Sequence, residues 1–296
     1  MNTEKQNHML SKPQAWSKLG LGTGTLASLG RAMSLSEVER LLDTMSDCGA
    51  NLIDTADSYG SGDCEILLGK ALGGRRSSFH LVTKAGYRLS NLKGPLRPMN
   101  QFIKKAIHRL GNSHDFRPAY LAKCLDDSLQ RLRVERVGAF LLHDAPLEAV
   151  TNPEIHELCH ELKQSGKTAL TGLSSDQPEI IRAALSTGAF DVIQTPANLV
   201  AATELHAVWD ECEAHGIHII GNHVFSPATV ALPGMSRENI MRACSSLLPA
   251  STTILCGTHN PSHFAETYRW AEHPLGKDEA LALAAKCVRL TQSPSS

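Results

Sequence analysis

The chain has 296 residues, of which 42% are hydrophobic and 20% charged, enough apolar material to bury a large core and to exclude a disordered chain. Its formal charge of −1 balances 29 basic against 30 acidic residues, without the basic surplus that a nucleic-acid partner needs. No run of about 20 apolar residues is available to span a membrane. The first residues lack the apolar centre of a signal peptide, and the eight cysteines (48, 64, 124, 159, 212, 244, 256 and 287) contain no CxxC pair. The expectation is a cytoplasmic protein with free thiols rather than a disulfide frame or a zinc ribbon.

Residues 1–16 read as a loose polar lead-in to a single unit over 17–296. Residues 19–24 form a short strand running into a glycine-rich turn. Ser36 and Glu39 have capping-box spacing, which predicts a helix from there, with Val38, Leu41, Leu42 and Met45 on one face and Gly49 as its stop. Residues 51–53 form an apolar strand that delivers Asp54, with Tyr59 five positions on and glycines at 60 and 62. A helix over 64–72 and a strand over 80–83, ending at Lys84, come next. Residues 85–114 break the rhythm with prolines, glycines and six lysines and arginines, and read as an elaborated loop with one short helix near 100–110.

Beyond the loop the alternation resumes. Helices are predicted over 118–132, 153–163, 178–185, 202–215 and 238–247, with two more over 262–272 and 277–290. Between them lie strands over 137–142 (ending at His143), 168–173, 191–194, 217–221 and 252–256. About eight short strands thus alternate with helices and no linker divides them, so the strands are parallel. The prediction is a closed (β/α)8 TIM barrel in one domain, with an open doubly wound sheet as the alternative.

In such a barrel the functional groups sit at the C-terminal strand ends. Three consecutive ends carry Asp54 with Tyr59 just beyond it, Lys84, and His143. Each alone has a plain structural reading: a solvated strand end, a loop aromatic, a snorkelling lysine, a core histidine. Together they make a proton donor. A phenol gives up its proton poorly at neutral pH, a neighbouring ammonium lowers its pKa, an aspartate holds that ammonium charged, and an imidazole orients a carbonyl. The expectation is a phenol shifted downward by Lys84. Carbonyl chemistry at this site needs a hydride that no side chain supplies, so a cofactor is implied.

With these residues in place the sequence resembles the aldo-keto reductase family, over residues 19 to about 270. The resemblance is carried by Leu19-Gly-Leu-Gly-Thr-Gly24, Ile53-Asp-Thr-Ala-Asp-Ser-Tyr-Gly60, Leu81-Val-Thr-Lys84, Leu141-Leu-His143, Glu161-Leu-Lys-Gln-Ser-Gly-Lys167 with Gly172-Leu-Ser174, and Gly257-Thr-His-Asn-Pro261. It implies a (β/α)8 barrel, carbonyl reduction on an aldehyde, ketone or sugar, and a catalytic tetrad of Asp54, Tyr59, Lys84 and His143. It also implies a nicotinamide cofactor bound without a Rossmann domain, NADP(H) before NAD(H), with NAD(H) kept open.

The resemblance further implies cofactor contacts from Gly22 and Thr23 at the ribose, and from Ser174 and Gln194 at the carboxamide. Phe225 would stack on the nicotinamide, and Ser226 would lie towards the pyrophosphate. Gly257 and Thr258 would open a phosphate-binding helix, and Glu266 would approach the adenine. Three positions depart from the family pattern. Ser175 stands where an asparagine is usual, Thr267 likewise, and His263 replaces an arginine for the 2′-phosphate. The same fold also serves as nicotinamide-binding regulatory subunits, which is the alternative function. A phosphate-handling barrel without nicotinamide is a third.

Two motifs are set aside. His156-Glu157-Leu158-Cys159-His160 matches H-E-x-x-H, but Ile155, Leu158, Cys159 and Leu162 form the buried stripe of its helix. That points both histidines outward and leaves no third ligand, so no metal site is expected. Gly20, Gly22 and Gly24 resemble a dinucleotide turn, but the third glycine falls one residue early and no helix opens there.

Overall fold

Eight strands too short to bury both faces alone, each followed by a helix with one apolar stripe, find their shared minimum as a cylinder within a ring of helices. The computed structural model describes residues 15–26, 32–88 and 114–292. The helix expected near 100–110 lies outside the described residues. The strands are β1 (Leu19–Gly22), β2 (Leu52–Asp54), β3 (His80–Ala85), β4 (Val137–Leu142), β5 (Thr168–Ser174), β6 (Val192–Pro196), β7 (His218–Asn222) and β8 (Thr253–Cys256). They close as β1 to β8 in sequence order, every pair parallel, with β8 returning to β1. The doubly wound alternative is thereby ruled out.

The main outer helices are α1 (Leu35–Cys48), α2 (Asp63–Ala71), α3 (Pro118–Leu132), α4 (Pro153–Gln164), α5 (Pro178–Thr187), α6 (Ala201–Ala214), α7 (Arg237–Leu247), α8 (Pro261–Glu272) and α9 (Lys277–Gln292). Helix α1 buries Val38, Leu41, Leu42 and Met45, the stripe expected from its sequence. Its capping box is two residues earlier than expected. Glu37 Oε2 takes the Ser34 N–H at 2.7 Å, and the Glu37 N–H donates to Ser34 Oγ. Two overlapping Ser-x-x-Glu matches exist in Ser34-Leu-Ser-Glu-Val-Glu39, and the first wins because it places Val38 in the first turn facing the core.

Inside the cylinder, side chains two residues apart on a strand share a face. Leu52, Val82, Leu141, Val192 and Ile220 form an apolar inner layer. Gly172 makes room for it: a Cβ there would lie 2.0 Å from the Val192 carbonyl oxygen and 2.8 Å from Leu141 Cδ2. Trp16 closes the bottom, its ring edge-on to His218 at 4.4 Å. Two residues further along the same strands stand Asp54, Lys84, His143, Gln194 and Asn222. This polar layer, set on the apolar one, faces the mouth.

Candidate active site

The chain between β2 and α2 positions the phenol. The Thr55 N–H donates to Val82 O and the Asp57 N–H to Lys84 O, so pairing with β3 continues past the end of β2. The backbone then reverses through left-handed conformations at Gly60, Ser61 and Gly62, and α2 begins. Glycine takes this geometry freely; Ser61 does not. Arg131 fastens the turn from outside. Its Nε donates to the fully buried Glu65 at 2.6 Å, and Glu65 also accepts the Thr83 hydroxyl at 2.6 Å, beside Lys84. Asp57 is fully buried, with its carboxylate near the Cys124 thiol. Burial and that carboxylate push the thiol up to about 12.

Lys84 is 1% exposed. Its Nζ donates to Asp54 Oδ1 at 2.5 Å and to the Thr55 carbonyl at 2.9 Å, and lies 5.1 Å from the centre of the Tyr59 ring. Burial opposes the charge on Lys84, but Asp54 and then Tyr59 outweigh it and its pKa stands above the ordinary value. Tyr59 corrects the sequence expectation. Burial pushes its pKa up, and the Lys84 ammonium only partly offsets that. Sequence reasoning counted the cation and could not weigh the desolvation.

His143 faces Tyr59 edge-on with ring centres 5.9 Å apart, and its Nδ1 lies 3.4 Å from Ser58 Oγ. Tyr87 closes its other side at 4.9 Å. The Tyr87 hydroxyl donates to Asp144 Oδ2 at 2.6 Å, and burial together with that bond holds its pKa far above the phenol range. Asp144, in a left-handed conformation at φ 52°, is tied in turn to Ser174, whose Oγ donates to Asp144 Oδ1 at 3.1 Å. The three strand ends thus form one wall.

Beside the tetrad a cleft of about 370 Å³ runs past Gly22, Gly24, Tyr59, Phe225 and Gly257. A second cleft of about 420 Å³ extends over Asp144, Ser175 and Gln177, and the two share Gln194, Asn222 and His223. A proton donor beside a long trough at the C-terminal strand ends directs the comparison with known proteins. The sequence profile of the Aldo/keto reductase family matches residues 18–231. The chain belongs to this family.

Among aldo/keto reductases and related enzymes, it is 27% identical to an NADH-specific methylglyoxal reductase of Escherichia coli, over 75% of this chain and 70% of that one. It is 29% identical to a pyridoxal 4-dehydrogenase of Microbacterium luteolum over 58% of this chain. The match spans 56% of that dehydrogenase's length, a little over half. The fold superposes on an aldo-keto reductase from Klebsiella pneumoniae in complex with NADPH (TM-score 0.64, 20% identity, 92% of each chain covered).

Of the positions that the family resemblance assigns to a cofactor, Gly22, Gln194, Phe225 and Gly257 line the first cleft and Ser174 and Gln194 the second. Gly22 and Gly257 lie in the wall of the first, and Gly24 packs beside the Tyr59 ring, where a Cβ would make ordinary contact at 3.5 Å. Thr23 is fully buried, its hydroxyl spent on the Asp54 carbonyl at 2.8 Å. Ser174 is spent on Asp144 as described, and Ser175 Oγ accepts the Gln177 N–H at 3.1 Å. Gln194 Nε2 donates across the barrel to Asp54 Oδ1 at 2.8 Å, the atom that also holds Lys84.

Phe225 is half-buried, with the Arg237 guanidinium 6.0 Å from its ring centre. Ser226 caps a short turn, accepting from the Thr229 N–H. Gly257 and Thr258 do not open a helix: α8 starts at Pro261, capped by Asn260, because the Thr258 hydroxyl accepts the Asn260 N–H and turns the chain first. His263 is exposed and Glu266 half-buried on α8.

A flat ring with a guanidinium beside it, next to a trough that Gly22, Gly24 and Gly257 line, fits an aromatic ring with an anionic tail. Arg237, Asn222, Tyr87 and Asp144 were not singled out from the sequence. Asn222 was legible in principle, two residues beyond Ile220 on the inward face. Arg237 was not, because its approach to Phe225 depends on loop folding. Among the described residues no group of three metal-ligating side chains occurs, and His156 Nε2 meets the Val150 carbonyl at 2.7 Å.

Proposed function

We propose that this protein is an NAD(P)(H)-dependent oxidoreductase that reduces the carbonyl of an aldehyde, ketone or sugar to an alcohol, or runs the reverse. The observation that carries the reading is the buried Tyr59–Lys84–Asp54 chain with His143 beside the phenol. Asp54, Tyr59, Lys84 and His143 are the catalytic residues in this reading. Phe225, Gln194, Ser174, Ser226, Gly22, Thr23, Gly257, Thr258, His263 and Glu266 line the cofactor's path. When bound, the nicotinamide supplies a hydride to the carbonyl carbon.

The protein's part is the proton. Burial keeps Tyr59 protonated at neutral pH, ready to give its hydroxyl proton to the carbonyl oxygen as that oxygen gains charge. Lys84 then faces the phenolate and stabilises it, and Asp54 keeps Lys84 charged against its burial. His143 holds the carbonyl oxygen in line. The methylglyoxal reductase and the pyridoxal 4-dehydrogenase among its relatives support small oxygenated carbonyl substrates. NADP(H) is favoured on the family pattern, while the relative named NADH-specific supports NAD(H) as the second choice. Eight free cysteines, seven of them buried, support a reducing, cytoplasmic setting. Among the described residues no helix is long and apolar enough to cross a membrane.

The test is Tyr59→Phe, assayed by loss of NADPH or NADH absorbance at 340 nm over a panel of small aldehydes, ketones and aldoses. Turnover is expected to fall by about 10²–10⁴-fold, the worth of a positioned general acid, with cofactor affinity little changed. Near-normal turnover by the variant refutes the reading.

A further inference from the structure

We propose that Tyr87 is a positioning residue: from just past the end of β3 it holds the His143 imidazole in place beside Tyr59, with the Asp144 carboxylate as its tether. The proposal rests on the carbonyl-reduction reading above, in which His143 holds the carbonyl oxygen in line. It names what holds His143.

The backbone fixes where Tyr87 stands. β3 pairs with β4 as far as Ala85 and Leu142, and the His143 N–H extends that pairing by donating to Ala85 O at 2.8 Å. Gly86 then takes φ 143°, where a Cβ would lie 2.5 Å from Phe116 Cε1 and 3.2 Å from the His143 carbonyl oxygen. Glycine alone fits so close an approach in that conformation. The Gly86 carbonyl accepts the Asp115 N–H at 2.7 Å, and the Tyr87 carbonyl accepts the Tyr120 hydroxyl at 2.8 Å. The His114 ring packs on the Tyr87 ring with centres 4.3 Å apart.

The side chain is fixed as well. The Tyr87 hydroxyl donates to Asp144 Oδ2 at 2.6 Å, within the short range of O–H donors to a carboxylate. Burial and that bond keep the phenol protonated far above neutral pH, so the donor persists. Asp144 is itself anchored. Its Oδ1 accepts the Ser174 hydroxyl at 3.1 Å, and its N–H donates to the same Ser174 oxygen at 3.2 Å. Its backbone stands at φ 52°, which the surrounding contacts must enforce in a non-glycine residue.

His143 meets two phenol rings, each nearly perpendicular to it. The Tyr59 ring is 5.9 Å away at 81° and the Tyr87 ring 4.9 Å away at 87°. The Nδ1 contact with Ser58 Oγ, at 3.4 Å, is long for a hydrogen bond and restrains the imidazole weakly. Packing therefore sets its tilt, and the nearer of the two rings is the one that gives no proton to the substrate.

The test compares wild type with Tyr87→Phe and Tyr87→Leu on the carbonyl panel with NADPH and NADH. Tyr87→Phe keeps the ring and loses the tether, and kcat is expected to fall about tenfold, the worth of one hydrogen bond to a charged group. Tyr87→Leu loses the ring too, and kcat should fall about a hundredfold, the cost of a group displaced by about 1 Å. Cofactor affinity by fluorescence titration should be unchanged in both, since Tyr87 is not among the residues that line either cleft. Tyr87→Phe removes a single oxygen and keeps the test informative if the leucine variant folds poorly.

Each Tyr87 variant is then combined with His143→Ala and followed in single turnovers on the most reactive carbonyl. A residue that acts through His143 leaves the double variant no slower than His143→Ala alone, whereas one that only supports the fold slows it by the same factor again. Multiplied losses overturn the proposal. So does a wild-type kcat in either Tyr87 variant, or a loss carried by cofactor affinity. If the wild-type protein turns over no carbonyl with either nucleotide, the proposed function itself has failed and this proposal falls with it, a result that needs no variant.

Discussion

Replacing Asp54 with asparagine tests the logic of the site most directly. Lys84 is 1% exposed and its ammonium rests on Asp54 Oδ1 at 2.5 Å. Asparagine keeps the shape and removes the charge, leaving the ammonium with the Thr55 carbonyl and little else of opposite sign. Breaking one side of a buried ion pair costs about 3–5 kcal/mol, because the remaining charge is stranded out of water. In a chain of this size that corresponds to a fall in Tm of about 5–8 °C.

Protonation gives the effect a signature. In the wild type the Lys84 pKa is raised, so its contribution is fully present below the unfolded value of about 10.5 and is lost only as pH climbs through the still higher folded value. In Asp54→Asn the largest opponent of burial is gone, only the smaller Tyr59 contribution remains, and the folded pKa drops below the unfolded one. The unfolded chain then binds more protons, and stability should rise with pH between 7 and 10.5, where the wild type is flat through this group. The assay is urea unfolding at several pH values for wild type, Asp54→Asn, Lys84→Met and the double variant. The double should be more stable than the sum of the singles predicts, since it strands no charge. Strict additivity, or a loss under about 1 kcal/mol for Asp54→Asn, refutes the account of a buried charged pair.

Two further outcomes follow from the barrel itself. At its lower end burial lowers His218 to about 4 from 6.5. The wild type should therefore lose up to about 3 kcal/mol through this one group as pH falls from 6.5 to 4. His218→Gln should have a shallower acid limb in chemical unfolding over that window, and identical slopes would count against it. Gly172→Ala drives a Cβ into the Val192 carbonyl and should cost at least about 3 kcal/mol in urea unfolding, whereas Gly74→Ala meets nothing within 4 Å and should stay within about 0.5 kcal/mol. Similar small losses in both would show that the interior layer is less tightly packed than it stands here.

Residue types and spacing alone made the strand count legible, because apolar runs of three to seven residues alternate with 3.6-periodic stripes, and parallel alternation leaves few topologies. Asp54, Lys84 and His143 were legible as strand ends for the same reason. The i, i+2 rule extends the list to Asn222, which a strand boundary drawn one residue short at Gly221 concealed. Overlapping Ser-x-x-Glu matches hid the true capping box, since only packing of Val38 selects between them.

What the sequence by itself determined, then, was a barrel with an acid, a phenol, an amine and an imidazole gathered at one mouth. Only the tertiary structure decided how those groups stand towards one another. It set burial above the Lys84 charge at Tyr59, and it brought Gln194 across the barrel onto the Asp54 oxygen that Lys84 already shares. It also spent the Ser174 hydroxyl on Asp144. The physical reason is that desolvation and hydrogen-bond competition depend on distances between strands, and local spacing along the chain does not encode them.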